Sequence, residues 1–164
     1  MKTPKLPENE DSRLQALREL GVLDTEPEHA LDRLTQFTAH VFDVPIALIS
    51  LVDKDRQWFK SRFGLEAQQT PRDISFCGHA ILEDKVFVVP NATTDIRFRD
   101  NPLVQHAPYI RFYAGAPLTT SSGLNIGTVC IIDLEPRQFS DGDCDILKRL
   151  SEDIVRLLEK SNVL

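Results

Sequence analysis

The groups able to do chemistry gather between Gln57 and Ile81 (QWFKSRFGLEAQQTPRDISFCGHAI), where Cys77 and His79 flank Gly78 behind a polar loop. A thiol near a helix N-terminus or a base is activated as a nucleophile, a redox group or an attachment point for a chromophore. Cysteine is also among the most frequently buried residues, so plain packing is the commoner role. His79 could bind a metal or an anion, or change charge near neutral pH, although a single histidine in a helix is more often a hydrogen-bonded structural group. Trp58 and Tyr113 each join a large apolar body to one polar handle, which suits a pocket wall or a partly buried core. Phe76 and Tyr113 are bulky enough to fill a pocket outright. Lys60, Arg72 and Arg111 could converge on a carboxylate or phosphate, or pair instead with Asp53, Asp73 or Asp133. The candidate ligand-binding set is Trp58, Lys60, Phe76, Cys77, His79, Arg111 and Tyr113, with no catalytic residue assigned.

Other chemistry is excluded by missing patterns. The sequence has no GxxxxGKS phosphate loop, no GxSxG nucleophile turn and no HExxH pair. Its three cysteines, Cys77, Cys130 and Cys144, stand far apart, which suits reduced thiols better than a disulfide framework. Cys130 reads as core. His29, His40 and His106 lack ligand-like spacing, so no metal is assigned, and the sequence names no cofactor. Nothing demands catalysis, and the expectation is a protein that is not an enzyme. With 25 acidic against 19 basic residues and a net charge of −6, no basic stripe offers a nucleic-acid surface. No apolar run approaches the roughly 20 residues of a membrane span, and the N-terminus lacks the apolar core of a signal peptide. The expected setting is cytoplasmic, without a membrane partner.

The elements that must position these groups follow from periodicity. A chain of 164 residues with 41% hydrophobic and 27% charged residues suits one domain, read here as 1–164. Residues 1–9 read as a flexible lead-in and 10–24 as an N-terminal helix carrying Leu14, Leu17 and Leu20, with Gly21 as a stop. A second helix, capped from Thr25, presents Leu31, Leu34, Phe37, Thr38, Val41 and Phe42, and ends before Pro45. Ile46 to Val52 is apolar on both faces apart from Ser50, as in a central strand, and Arg56 to Phe63 alternates as its hairpin partner. Ser75 caps a short helix, Phe87 to Val89 is a brief strand, and 91–108 is a long connection with one helical turn near Ile96 to Arg99. Arg111 to Leu118 and Asn125 to Leu134 form a second hairpin whose small residues, Ala114, Gly115, Ala116 and Gly127, permit close approach. A C-terminal helix spans 140–160, opened by Ser140 and Asp143. The order describes an α+β sandwich.

In this order the motifs Gly21–Thr25, Pro45–Asp53, Asp55–Ser61, Ser75-Phe-Cys77 with His79-Ala-Ile81, Asp100–Val104, Ile110–Leu118 and Ile126–Asp133 mark a chain that resembles the GAF domain family, over about Leu14 to Leu158. It is most similar to the bacterial sensory members found with diguanylate cyclases and histidine kinases. The resemblance implies a central antiparallel sheet with the terminal helices on one face and a small-molecule pocket, closed by loops and short helices, on the other. It implies a sensory or regulatory domain that binds an unidentified small ligand between the sheet and the segment from Arg72 to Ile81. Such a domain signals to a separate protein or through a homodimer of its terminal helices, although the same leucine stripes serve equally well to cover the sheet. Two alternatives stand beside it. One is a thiol-based enzyme acting through Cys77 on a small oxidised metabolite, as the free methionine sulfoxide reductases of the family do. The other is a scaffold whose pocket has degenerated. Bilin-binding members carry Cys followed directly by His, whereas here Gly78 intervenes, and the signature of cyclic-nucleotide members is absent. The stretch from Gln105 to Tyr109 departs from the family pattern beside the expected pocket, so ligand identity does not transfer.

Overall fold

The computed structural model describes residues 1–160. In chain order the elements are α1 (Glu10–Leu20), α2 (His29–Phe42), β1 (Ile46–Val52), β2 (Arg56–Phe63), β3 (Gln69–Pro71), a 3-10 turn (Arg72–Ile74), α3 (Phe76–Ala80), β4 (Phe87–Val89), α4 (Pro102–Gln105), β5 (Phe112–Thr119), β6 (Asn125–Asp133) and α5 (Asp141–Lys160). The strands form one antiparallel sheet in the order β3-β2-β1-β6-β5-β4, so the two most apolar strands lie at its centre. Among the described residues no helix is long and apolar enough to cross a membrane.

Strand alternation divides the core in two. Ala47, Ile49 and Leu51 of β1, with Val129 and Ile131 of β6, face α1, α2 and α5. Leu48 and Val52, with Cys130 and Ile132, face α3, α4 and the long connection. Each layer buries apolar side chains at a gain of roughly 25 cal/mol per Å² removed from water, so both central strands are held from both sides.

The helices on the first face follow the sequence with three differences. α1 stops at Leu20, short of 24, because Gly21 adopts a left-handed φ of 64° and donates its N–H to Arg18. α2 starts at His29, three residues beyond the position that a Thr25 cap requires. Thr25 is engaged elsewhere: its hydroxyl donates to the Val22 carbonyl at 2.6 Å and accepts from Lys60 Nζ at 2.7 Å. The buried face of α2 is Leu31, Thr35, Thr38, Ala39 and Phe42, leaving Phe37 and Val41 55% and 41% exposed. The α5 start agrees with the sequence, since Ser140 and Asp143 each accept the other's backbone N–H in a capping box. The stripes of α1 and α5 are spent on the sheet: Leu14, Leu17, Leu147, Leu150, Ile154 and Leu158 are buried.

In β2 the alternation breaks at Lys60. Ile49 pairs with Ser61 and Ser50 with Phe59, so the intervening residue bulges out of register. The bulge turns Ser61 onto the helix side, where its hydroxyl bonds Thr35 at 2.7 Å and Asp32 at 2.7 Å. Gln68 to Pro71, read as loop, contains β3 at the sheet edge. A turn at 95–99 is present, closed by Arg99 N–H to the Asp95 carbonyl, and α4 follows it with the Asn101 side chain as cap.

A buried ion network ties these layers together. Arg13, wholly buried, donates to the Val52 carbonyl at 2.6 Å and to Glu10 at 2.9 Å. Glu10 also receives both Arg72 nitrogens, at 2.6 and 3.1 Å, and Arg72 reaches the Asp53 carbonyl at 3.0 Å. Burial raises the Glu10 carboxyl, but its bonds from Arg72 and Arg13 outweigh that and hold it below the ordinary value. Glu10→Ala should therefore leave two buried guanidinium groups without their anion and cost on the order of 3–5 kcal/mol, measured by urea unfolding. Because the folded-state value is lowered, the wild-type contribution is complete above about pH 4.5 and is lost as pH falls through the folded-state value. The variant should lack that part of the acid limb.

Candidate functional site

The cavity expected on the second face is present. It encloses about 270 Å³ between β2, β1, β6 and β5 on one side and α3 and the 102–110 segment on the other. Leu48, Phe59, Phe76, Ile110 and Ile132 give it apolar walls, while Leu65 to Ala67 with Leu103, Ala107 and Pro108 form the rest of its lining. The polar groups reaching it are Gln57, Thr70, Cys77, Tyr113 and Cys130, with Glu66 the one carboxylate.

Cys77 owes its position to the start of α3. The Ser75 hydroxyl accepts the Gly78 N–H at 3.0 Å, which fixes the first turn and aims Cys77 at the sheet. There the Tyr113 hydroxyl donates to the Cys77 sulfur at 3.1 Å, and Thr128 lies 3.1 Å away on the neighbouring strand. Tyr113 can reach because Gly115, two residues along β5, has no side chain. A Cβ there would stand 2.3 Å from the tyrosine oxygen. Burial pushes the Cys77 thiol up, but hydrogen bonds with Cys130, Thr128, Tyr113 and Ser50 outweigh it and bring the group down to about 7. The same bond to Cys77, reinforced by burial, lifts Cys130 well above the ordinary thiol range. Across β1 the seam continues through Ser50 to Gln57 at 3.2 Å and from Gln57 Nε2 to Thr70 at 2.6 Å.

The GAF domain model matches residues 26–158, a span that covers α2, every strand of this sheet and nearly all of α5. This chain belongs to the GAF domain family. Along 137 residues it is 51% identical to a cyclic di-GMP phosphodiesterase of Pseudomonas aeruginosa, a match covering 84% of this chain and 23% of that protein. The chain thus spans less than a quarter of that relative. Among solved structures, the GAF domain of an Acinetobacter phosphoenolpyruvate-protein phosphotransferase superposes with a TM-score of 0.67 at 17% identity, covering 92% of this chain and 94% of that one. The free methionine-R-sulfoxide reductase of Neisseria meningitidis, solved with its substrate, gives 0.66 at 17% identity and 99% coverage of both chains. At such identities the likeness shows the fold.

Of the residues singled out from sequence, this GAF domain brings Phe76, Cys77 and Tyr113 to the cavity and directs the other four elsewhere. Trp58 faces the helices, in the core with Leu51, because it alternates with Gln57 and Phe59. Lys60 sits on the bulge and is spent on Thr25, the Glu26 carbonyl at 2.7 Å and Glu28 at 3.0 Å. Arg111 donates to the carbonyls of Val104 and Ile110 at 2.9 and 3.1 Å. His79 turns away from the cavity to the Lys2 carbonyl at 3.1 Å and packs edge-on against Phe98, with its pKa lowered by burial. Arg72 is held by Glu10, so the three cations do not converge on an anion.

Cys130, Gln57 and Thr70 are the lining groups that the sequence reading passed over. Cys130 is buried in the core as expected, and it also lines the cavity beside Cys77. Strand parity carried a usable signal, since Thr128, Cys130 and Ile132 share a face opposite Val129 and Ile131. Tyr113→Phe should raise the Cys77 pKa from about 7 and slow its alkylation at neutral pH, as followed by thiolate ultraviolet absorbance. Gly115→Ala should displace the same hydroxyl and in addition cost roughly 1–3 kcal/mol of stability through overpacking.

Proposed function

We propose that this GAF domain is a sensory or regulatory module that binds a small molecule in the cavity and reports its occupancy to a signalling partner. The observation that carries this reading is the cavity itself: about 270 Å³ of space remains open, with apolar walls and a few convergent polar groups. Phe76 and Tyr113 stand in its walls without filling it, which weighs against a degenerate scaffold. The kinship with a cyclic di-GMP phosphodiesterase suggests an output in cyclic di-GMP turnover, with the module regulating such an enzyme. A cytoplasmic setting agrees with three free thiols.

The route out of the cavity runs through the segment from Arg72 to Ala80. Its Cys77 and Phe76 meet the cavity, while its other side chains hold the N-terminal residues: Arg72 grips Glu10, Gly78 packs on Pro4, and His79 meets the Lys2 carbonyl. The lead-in 1–9 lies against this segment, with Lys2 N–H also bonded to the Arg97 carbonyl at 3.0 Å. A ligand that favours one position of α3 shifts the population of arrangements at the N-terminus. A homodimer through the terminal helices must use faces other than their leucine stripes; among the described residues Ile146 on α5 is the large apolar side chain left exposed on these helices, with Phe37 and Val41 exposed on α2.

A second reading is thiol chemistry on a small oxidised metabolite, favoured by the contact of Cys77 with Cys130. It requires turnover of a methyl sulfoxide with a thiol reductant, abolished in Cys77→Ser with the fold intact.

For the sensor reading, a metabolite library is screened by thermal unfolding. A true ligand at a hundred times its Kd stabilises by about 2.7 kcal/mol, which for a chain of this size raises Tm by roughly 5–10 °C. Cys130→Phe, which fills the cavity floor, should abolish the shift. Equal shifts in wild type and variant would place binding elsewhere and sink the proposal.

A further inference from the structure

The character of the cavity restricts the class of its ligand, an inference that rests on the sensor reading above. Among the described residues lining the cavity none is lysine, arginine or histidine, and its one charged group is the Glu66 carboxylate. The four cations singled out from the sequence are committed elsewhere. Arg72 is held by Glu10 and the Asp53 carbonyl, Lys60 by Glu28 and the Glu26 carbonyl, and Arg111 by two carbonyls of its own loop. His79 turns away to Lys2. An anion entering this space would lose its hydration and gain no opposite charge, a penalty of several kcal/mol. A thiolate at Cys77, already satisfied by its neighbours, would add repulsion.

The neutral groups have room for one partner. The Thr70 hydroxyl accepts from Gln57 Nε2 at 2.6 Å, which leaves its own hydrogen to donate into the cavity. Gln57 is anchored in turn by Ser50 at 3.2 Å, so this donor is held in place by the β1–β2 pair. In volume, the space of about 270 Å³ lies between the roughly 150 Å³ that holds benzene in an apolar cavity and the roughly 300–1,000 Å³ of drug-sized sites.

We infer that the cavity takes an uncharged, largely apolar molecule of one or two rings' size bearing a single acceptor oxygen, a hydroxyl or carbonyl that meets Thr70, and that it excludes carboxylates, phosphates and cyclic dinucleotides. The cyclic di-GMP chemistry in the relative's name therefore belongs to the output and not to this pocket. A cyclic dinucleotide carries two phosphodiester charges, and neither would find a cation here.

The test uses matched probes on the whole chain with Cys144→Ser, a change that removes the partly exposed thiol on α5 and leaves the two cavity thiols as reporters. Benzyl alcohol, benzoate, phenyl phosphate and cyclic di-GMP are each titrated while Tm and the rate of N-ethylmaleimide labelling at Cys77 are followed. Benzyl alcohol should raise Tm and slow labelling. Benzoate and phenyl phosphate should bind at least roughly a hundredfold more weakly, and cyclic di-GMP should leave both readouts unmoved. Protection by benzoate, phenyl phosphate or cyclic di-GMP at concentrations matching benzyl alcohol overturns the inference while the sensor reading survives. Failure of every probe to change either readout overturns the inference and removes the cavity from the sensor reading as well.

Discussion

Burial of β1 and β6 on both faces is the constraint from which the rest of the architecture follows. A strand with one wet face can leave its polar side chains to water, but a central strand covered by helices on one side and by α3 and loops on the other cannot. Each hydroxyl or thiol on the second face therefore needs a protein partner, and every buried side-chain nitrogen and oxygen among the described residues has one. Ser50 and Thr128, cross-strand neighbours at the middle of the sheet, thereby start two short chains, one through Gln57 to Thr70 and one through Cys77 to Tyr113. The depressed pKa of Cys77 is a consequence of this satisfaction, since several donors have nowhere better to point. No nearby cation is needed to explain it.

The charged groups show the complementary division. Strong ion pairs lie at the joints between layers, where Arg13, Glu10 and Arg72 connect α1 to the β1–β2 turn and the start of the α3 segment, and where Lys60 closes the α1–α2 connection. Keeping cations out of the cavity lining and concentrating ion pairs at the joints gives a site of low local polarity inside a frame fixed by directional bonds. A mobile, hydrated lysine would have served neither purpose. The Arg13–Val52 bond in particular fastens the first helix to the end of the strand that carries Leu48 into the cavity wall.

Much of this was readable in the sequence, and the failures share a physical origin. The bounds of β1 and β2, the Ser75 cap, the brief β4 and the capping box of α5 all rest on signals local to a few residues, and local signals survive folding. Trp58 and Lys60 carry no local signal that chooses between their alternatives, because polarity and size say nothing about which face of a strand looks inward, and the bulge at Lys60 inverts the parity beyond it. Thr25 has the local sequence of a helix cap, and the Lys60 that competes for it lies 35 residues away. The meeting of Cys77 and Cys130 is hidden for the same reason: it depends on the α3 segment lying across β6, a long-range fact to which neither residue's neighbours point. The GAF resemblance implies the layers but not this chain's lining, part of which comes from Ala107 and Pro108 in the connection before β5.

If the sheet is the rigid part, occupancy can be transmitted only by what covers it. Packed β-strands bonded on both edges have no second arrangement of similar energy, whereas a five-residue helix fixed by one serine cap and flanked by loops can shift. In this chain that helix places Phe76 and Cys77 against the cavity and presents Gly78 and His79 to residues Lys2 and Pro4, so a displacement on one side must be accommodated on the other. Gly78 makes the coupling tight: a Cβ there would stand 2.8 Å from Pro4, which means the N-terminal residues rest on the backbone of α3 itself. The glycine that separates Cys77 from His79 is thus explained by the contact beneath it. Gly78 is the surface on which the N-terminus lies.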